Sequence, residues 1–265
     1  STTPSRSSST PSRSSITSSR SSRTSSTPSR SSWELDLADE KLTQRIAPLL
    51  RELLSSESTR VKEILYELKR MKLSTNPPVM HKFITLGGCA ISIMVMNKHV
   101  DDVDIMIKAC KLVHHFTHDH SENREAFCLM GGVAPLLKAM AKFPDSAEFQ
   151  KVAFAALTSF CMIASGQLAV LSRSGDSSGE HVRRGSGIAI IVEIMTLHLC
   201  HNDICRLGCL TLKLLFTSSK SHIDELIDHN GVHLISDIIS HHHTDEKVEG
   251  TARSIMKAMF KRFHN

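Results

Sequence analysis

A glycine turn between two apolar segments recurs along this chain, and it constrains the fold more than any other feature. The turn is clearest at Gly131–Gly132, and a matching pair lies 44 residues earlier at Gly87–Gly88. Two further copies, at Gly187 and Gly231, are also 44 residues apart. The interval from Gly132 to Gly187 is 55 residues, because the polar segment 171–186 adds 11. A unit that repeats with such a period predicts a solenoid in which each unit packs on its neighbours.

The copy at 121–165 carries the most specific pattern. Asn123 to Leu137 reads Asn-Arg-Glu-Ala-Phe-Cys-Leu-Met-Gly-Gly-Val-Ala-Pro-Leu-Leu, and Ala-x-x-Ala-Leu follows at 153–157. This pattern resembles an armadillo repeat, and the resemblance covers about 77–263. It implies an all-α fold, a right-handed α-solenoid of about four armadillo-type repeats.

The resemblance also divides the chain into units. We predict a disordered tail at 1–32 and an armadillo-like domain at 33–265. The predicted units of the domain are a degenerate N-terminal helical pair at 33–75 and four fuller repeats at 77–120, 121–165, 166–221 and 222–265, with a loop insert at 171–186. The segment 33–75 is included because Ile46–Leu50 echoes Val133–Leu137. A terminal repeat presents one face to water, so an atypical sequence is expected there.

The predicted tail is almost entirely Ser, Thr, Pro and Arg, and Ile16 is its only large apolar residue. Such a segment cannot bury enough apolar surface to offset the entropy of ordering, so we expect it to be disordered. It contains no acidic residue and five arginines, Arg6, Arg13, Arg20, Arg23 and Arg30. The chain has 32 basic and 27 acidic residues, so the remainder has 27 of each and the net charge of +5 resides in the tail.

Three roles for the tail are compatible with its composition. A basic arm can neutralise an acidic surface such as RNA phosphates or a microtubule. The Thr-Pro and Arg-x-x-Ser patterns are also dense enough for phosphorylation to reverse its charge. The third role is a solubilising linker, because low-complexity sequence supports only compositional inference.

The resemblance to armadillo repeats implies a binding surface. In that family the third helix of each repeat lines a concave groove, and members that bind extended peptides carry an Asn there. The repeat offsets place His115, Ser159, Leu214 and Ala258 at that position, and none of them is Asn. The usual Trp partner is also missing, since Trp33 is the only Trp. These departures argue against a nuclear-import receptor.

One helical turn earlier, the same helices carry a second set of candidate groove residues. The complete predicted groove consists of Lys111, His115, Ala155, Ser159, Leu210, Leu214, Ser254 and Ala258. This mixed, partly apolar set favours a partner helix over a basic peptide held by acidic residues. An alternative for Leu210 and Leu214 is that both are ordinary core residues.

Histidine and cysteine suggest a metal site at first sight, most strongly at His198, Cys200, His201, Cys205 and Cys209. Zinc sites use defined spacings such as Cys-x-x-Cys, which this chain lacks. We therefore predict no metal and no cofactor, with Cys205 and Cys209 as small core residues. The odd number of scattered cysteines, seven, indicates reduced thiols and a cytoplasmic or nuclear location.

Catalytic motifs receive little support. Gly175–Gly179 matches Gly-x-Ser-x-Gly, but a nucleophile elbow requires a strand before the Ser and a helix after it, and here the flanks are polar. No phosphate-binding Gly-x-x-x-x-Gly-Lys is present. We predict that the chain is not an enzyme and that the 171–186 insert is a docking or phosphorylated loop.

The sequence therefore predicts a non-enzymatic scaffold that binds a partner protein or helix in its groove. The basic tail would supply a secondary contact regulated by phosphorylation. The alternative is an RNA- or microtubule-associated factor whose tail is the main binding element. No membrane span is predicted, because no window reaches about 18 uninterrupted apolar residues. We expect a cytoplasmic protein, with nuclear or cytoskeletal association as variants, and the oligomeric state stays open.

Overall fold

The computed structural model describes residues 32–171, 186–217 and 221–263. Within these ranges it contains α-helices, one short 3-10 helix at Leu73–Thr75 and no strand, as predicted. The predicted tail, apart from its last residue, and most of the predicted insert lie outside the described residues. The helices are α1 Ser32–Ser55, α2 Ser58–Arg70, α3 Pro77–Thr85, α4 Gly88–Lys98, α5 Val103–Thr117, α6 Ser121–Leu129, α7 Val133–Lys142, α8 Ala147–Cys161, α9 Ala164–Leu171, α10 Gly187–Leu197, α11 Asn202–Phe216, α12 Ser221–Asp228, α13 Gly231–His241 and α14 Glu246–Phe263.

Local sequence signals mark several helix starts. Asp102 accepts hydrogen bonds from the backbone amides of Asp104 and Ile105 at the start of α5. Ser186 accepts one from the amide of Ile188 at the start of α10. These side chains satisfy backbone donors that have no partner within the helix. The first helix after the 3-10 turn begins at Pro77, a position where the missing amide costs nothing.

The paired glycines have two different functions at each corner. Gly87 has φ +82°, a left-handed conformation that residues with a side chain rarely adopt. Gly88 instead needs space, because a Cβ atom there would lie 2.4 Å from the ring of Phe83. The next corner repeats this division, with Gly131 at φ +80° and Gly132 against an aromatic ring. The glycines thereby allow α3 and α4 to meet at a bend of 67°.

The third helices form a continuous layer. Helix α2 packs on α5, α5 on α8, α8 on α11 and α11 on α14. Small residues occupy equivalent positions of four of these helices, and all are buried: Ala109, Ala153, Gly208 and Ala252. At Gly208 an added Cβ would lie 2.4 Å from the sulfur of Met195, which shows how closely α10 and α11 approach.

A row of buried phenylalanines crosses the boundary between the units 77–120 and 121–165. The ring centroids of Phe83 and Phe116 are 5.3 Å apart, those of Phe116 and Phe127 are 5.9 Å apart, and those of Phe127 and Phe160 are 5.1 Å apart. All four side chains are fully buried. Because each unit supplies only part of this row, the units depend on one another for a closed core.

Polar side chains also connect neighbouring units. Asn123, Gln167 and His222 each donate to a carbonyl in the last turn of the preceding third helix, over 2.7, 2.8 and 3.0 Å. His198 and His242 each donate from Nε2 to a loop carbonyl of the preceding unit over 2.7 Å. These bonds satisfy buried or partly buried carbonyls at unit boundaries, where an unpaired group is costly.

No single helix among those described is both long enough and apolar enough to cross a bilayer. Only α3 and α4 taken together pass that test, and they do so across their 67° bend.

Candidate functional site

The third helices expose one shared surface, which we call the groove surface. Each helix contributes three positions spaced i, i+3 and i+7, which lie on one side of a helix. These positions are Lys108, Lys111 and His115 on α5, Val152, Ala155 and Ser159 on α8, Leu207, Leu210 and Leu214 on α11, and Thr251, Ser254 and Ala258 on α14. All eight residues predicted from the sequence belong to this register. Equivalent positions therefore change from basic on α5 to small on α8, leucine on α11 and small or polar on α14.

The α5 part of the groove surface is basic. Lys111 donates to Glu148 of α8 over 3.1 Å, so its charge is partly balanced. His115 is half-buried, and burial lowers the pKa of its imidazole. The positive charge of Lys69 on α2 lowers that pKa further.

An exposed aromatic residue that was not predicted from the sequence lies beside Lys108 of α5. Tyr66 on α2 is 54% exposed. The guanidinium carbon of Arg70 lies 6.0 Å from its ring centroid, and Nζ of Lys108 lies 5.9 Å from the same point. We call Tyr66, Lys69, Arg70 and Lys108 the basic cluster. Tyr66, as the only Tyr in the chain, was the one sequence signal that could have drawn attention to it.

The α8 part forms the floor of the groove surface. Ser159, predicted as a contact residue, is only 4% exposed. Its hydroxyl donates to the carbonyl of Ala155 over 3.2 Å and lies 3.4 Å from Nδ1 of His114 on α5. The small side chains of α8 therefore leave room between the larger ones of α5 and α11, and Ser159 itself offers little surface. Below the floor, the hydroxyls of Thr158 and Thr211 are 2.8 Å apart.

The α11 part is apolar, and its two predicted leucines differ in environment. Leu210 is 37% exposed. Leu207 and Leu214 are half-buried and pack against the core. The alternative interpretation as core residues therefore applies in part to Leu214 and not to Leu210. We call Leu207, Leu210 and Leu214 the leucine strip.

The α14 part is small and polar at the surface. Ser254 is exposed and Ala258 is half-buried. On the side of α14 that faces away from α11, Arg253 and Lys257 are exposed. They occupy the positions of Phe154 and Thr158 in α8, both of which are buried between helices. This side of α14 is therefore hydrated.

The histidine and cysteine cluster at 198–209 has mainly structural contacts. Cys205 and Cys209 lie in the core as predicted, and burial raises the pKa of the Cys205 thiol to about 12. The thiol of Cys205 donates to the carbonyl of Leu199 over 3.4 Å. The rings of His198 and His201 are 5.4 Å apart, while Cys200 is exposed. In the described ranges, no three His, Cys, Asp or Glu side chains are placed to hold a metal ion.

Other predicted features cannot be placed. The tail arginines Arg6, Arg13, Arg20, Arg23 and Arg30 lie outside the described residues. The same is true of the Gly-x-Ser-x-Gly match at 175–179 and of nearly all of the 171–186 insert.

Known proteins resemble this chain in structure and not in sequence. No protein-family model and no curated protein matches it. A designed armadillo repeat protein superposes with a TM-score of 0.63 at 16% identity, over 87% of this chain and 95% of that one. A second designed armadillo repeat protein, solved in complex with the peptide (KR)4, gives 0.61 at 16% identity with the same coverage.

An engineered protein gives a TM-score of 0.62 at 19% identity over 81% of this chain, which spans 47% of that protein's length. At these identities the likeness shows the fold alone. It confirms the predicted armadillo-type solenoid.

Proposed function

We propose that this chain, whose fold is that of an armadillo solenoid, is a non-enzymatic scaffold that binds a segment of another protein on its groove surface. The observation that carries the proposal is the leucine strip. Leu210 is 37% exposed between the half-buried Leu207 and Leu214, and only Tyr66 and Phe260 are more exposed among the large hydrophobic residues described on the third helices. Apolar surface of this kind gains about 25 cal/mol for each Å² removed from water.

The surroundings of the strip support a bound segment. On one side, Ala155 and the largely buried Ser159 have small side chains that project little from α8. On the other side, Ser254 and Ala258 are also small. A partner side chain can therefore approach Leu210 closely, and a few such central contacts dominate the affinity of most interfaces. The designed armadillo repeat protein that resembles this chain was solved with a peptide, which supports the same use of the fold.

The tail is part of the proposal as a second contact. Its five arginines carry the whole net charge of the chain. Two weak contacts on one chain raise the effective concentration of a shared target. Phosphorylation of the tail would weaken its attraction to an acidic surface. A cytoplasmic location also remains part of the proposal.

A quantitative pull-down from lysate tests the proposed function. The full chain is compared with Leu210→Glu, which places a charge in the leucine strip. The matched control is Leu129→Glu, because Leu129 is 73% exposed on α6 and lies off the groove surface. We expect Leu210→Glu to lose its partners and Leu129→Glu to keep them, while thermal melts by circular dichroism are unchanged for both.

The competing function, in which the tail is the main binding element, gives different results in the same assay. Removal of 1–31 would then abolish capture, and capture by the full chain would fall steeply with salt. Retention of all partners by Leu210→Glu would refute the groove proposal.

A further inference from the structure

The basic cluster at the α2–α5 end of the groove surface has positive charges without acidic partners. Among the residues described, Lys69, Arg70 and Lys108 form no ion pair with a carboxylate. Arg70 and Lys108 instead lie about 6 Å from the centroid of the exposed ring of Tyr66. The cluster is therefore an exposed aromatic ring with cations from two helices beside it.

Five carboxylates of α1, α2 and the start of α5 pair with two other cations. Glu52, Glu63 and Glu67 lie 2.8, 3.0 and 3.6 Å from Arg60. Asp102 and Asp104 lie 3.1 and 3.0 Å from Lys62. These five carboxylates exceed their two cations by three charges, but none of them forms an ion pair with Lys69, Arg70 or Lys108.

A purely structural explanation covers only part of the cluster. Lys69 and Arg70 are in the last turn of α2, where cations complement the partial negative charge of a helix C-terminus. Lys108, however, lies in the middle of α5 and cannot have this function. Helix capping also gives no reason for Tyr66 to lie exposed between Lys108 and Arg70.

We propose that the basic cluster binds carboxylate side chains of an acidic segment in the partner protein, and that apolar residues of the same segment reach the leucine strip. This inference rests on the proposed function and specifies the chemistry of the partner. The two features belong to one continuous layer, because α5 packs on α8 and α8 packs on α11. The partner is thus an acidic and apolar peptide, with its acidic part over Tyr66 and Lys108.

The helix spacing sets the length of such a segment. Packed helices lie about 8–10 Å apart, so α5 and α11 are separated by roughly 16–20 Å. An extended chain advances about 3.3 Å per residue, and a helix about 1.5 Å. The acidic and apolar groups of the partner would then be about 5–6 residues apart if extended, or about 11–13 residues apart if helical.

Two other occupants fit the cluster less well. The tail of this chain carries five arginines and no acidic residue, so the cluster would repel it. Nucleic acid needs a broad basic surface and several stacking side chains. Outside the tail, basic and acidic residues are equal in number at 27 each, and the cluster contains the only Tyr. The unpaired charges and the leucine strip two helices away therefore favour a protein segment.

Fluorescence anisotropy with three labelled model peptides tests the inference on the full chain. The peptides share a leucine-containing half, and the other half carries four Glu, four Gln or four Lys, in both orders. We expect the Glu peptide to bind about tenfold more tightly than the Gln peptide at low salt, and the Lys peptide to bind weakest. Raising the salt should remove the advantage of the Glu peptide.

Charge reversal locates the effect. Lys69→Glu with Lys108→Glu should lower the affinity for the Glu peptide about tenfold, to that of the Gln peptide. The matched control is Lys41→Glu with Lys138→Glu, because both lysines are exposed on α1 and α7 and form no ion pair among the described residues. Circular dichroism melts check that both double variants remain folded.

The outcomes separate this inference from the proposed function. Equal binding of the Glu and Gln peptides, or no effect of the Lys69 and Lys108 reversal, overturns the inference. If Leu210→Glu still weakens all three peptides in that case, the scaffold function stands. A uridine oligonucleotide that binds more tightly than the Glu peptide, with the same dependence on Lys69 and Lys108, would identify a nucleic-acid site and overturn the inference as well.

Discussion

Helices α5 and α11 have the same place in their units and the same length of 15 residues, yet they differ on the groove surface. Their buried sides are alike, since Cys110 and Cys209 lie at equivalent positions and both are fully buried. On the groove surface, Lys108 of α5 corresponds to Leu207 of α11, and Lys111 corresponds to Leu210. The buried side of a third helix thus maintains the solenoid, and its exposed side is free to vary in charge and apolarity.

This comparison separates two kinds of residue on one helix, those that hold the stack together and those that meet a partner. The first kind is identified by burial between units, as for Phe116. The second kind is identified by partial exposure on the shared surface, as for Lys108 and Leu210. Substitutions on the two sides should therefore affect different measurements.

The largest effect is expected on the buried side of α5. Phe116→Ala removes a fully buried ring that contacts Phe83 within its own unit and Phe127 of the next unit. We expect the free energy of unfolding to fall by about 3–5 kcal/mol, measured by urea denaturation. Lys108→Ala on the same helix is the control and should change it by less than about 0.5 kcal/mol. Similar losses for both variants would contradict the division into two sides.

A smaller effect is expected at the glycine corner. Gly132→Ala would place a Cβ atom 2.2 Å from the ring of Phe127, so the ring must shift. We expect a loss of about 1–3 kcal/mol in the free energy of unfolding. Gly250→Ala is the matched control, because Gly250 is inside α14 and an added Cβ meets nothing within 4 Å. That control should gain about 0.5–1 kcal/mol, since Ala is the better helix former.

The smallest effect concerns pH and again distinguishes α5 from α11. His114 of α5 corresponds to the exposed Lys213 of α11. Burial, followed by the charges of His118 and His115, lowers the pKa of His114 to about 4, below its ordinary value of 6.5. The unfolded chain therefore binds the proton more readily, and stability is lost as the pH falls from about 6.5 toward 4.

The measurement is the midpoint of thermal unfolding at pH 7.5 and pH 5.0. His114→Gln should lose less stability on acidification than the unmodified chain. Lys213→Gln changes an exposed residue, so its midpoint should fall between pH 7.5 and pH 5.0 by as much as that of the unmodified chain. An unchanged pH dependence in His114→Gln would show that burial of this imidazole does not contribute to the loss of stability at low pH.

The solenoid was predictable because its signals are local and repeat along the chain. The glycine spacing and the small residues of the third helices identify units without reference to long-range contacts. Two corners still differ, since Asn230 adopts φ +64° where earlier corners have Gly87 and Gly131, and Ser186 before Gly187 has φ −82°. Asn tolerates the left-handed conformation better than most residues, so Asn230 gives the same backbone geometry without a glycine.

The candidate site was only partly predictable. The repeat offsets predicted Lys111 and Leu210, and the structure leaves the first partly exposed and the second exposed. They did not identify Tyr66 and Lys108, which are 42 residues apart and meet only because α2 packs on α5. The offsets also did not show that Ser159 is buried, because a small side chain between two helices can be covered by its neighbours. The proximity of side chains in different units depends on how the helices pack, and the spacing of residues in the sequence does not predict this.

The most direct test of the account is photo-crosslinking from the groove surface in lysate. A photoreactive amino acid is placed at Ala155, between the basic cluster and the leucine strip, in the full chain. The same group at Leu129 on α6 is the control. We expect specific adducts from position 155, which disappear when Leu210→Glu is added, and none of the same adducts from position 129. Equal adducts from both positions, or adducts that require the tail and survive Leu210→Glu, would contradict the groove as the binding surface.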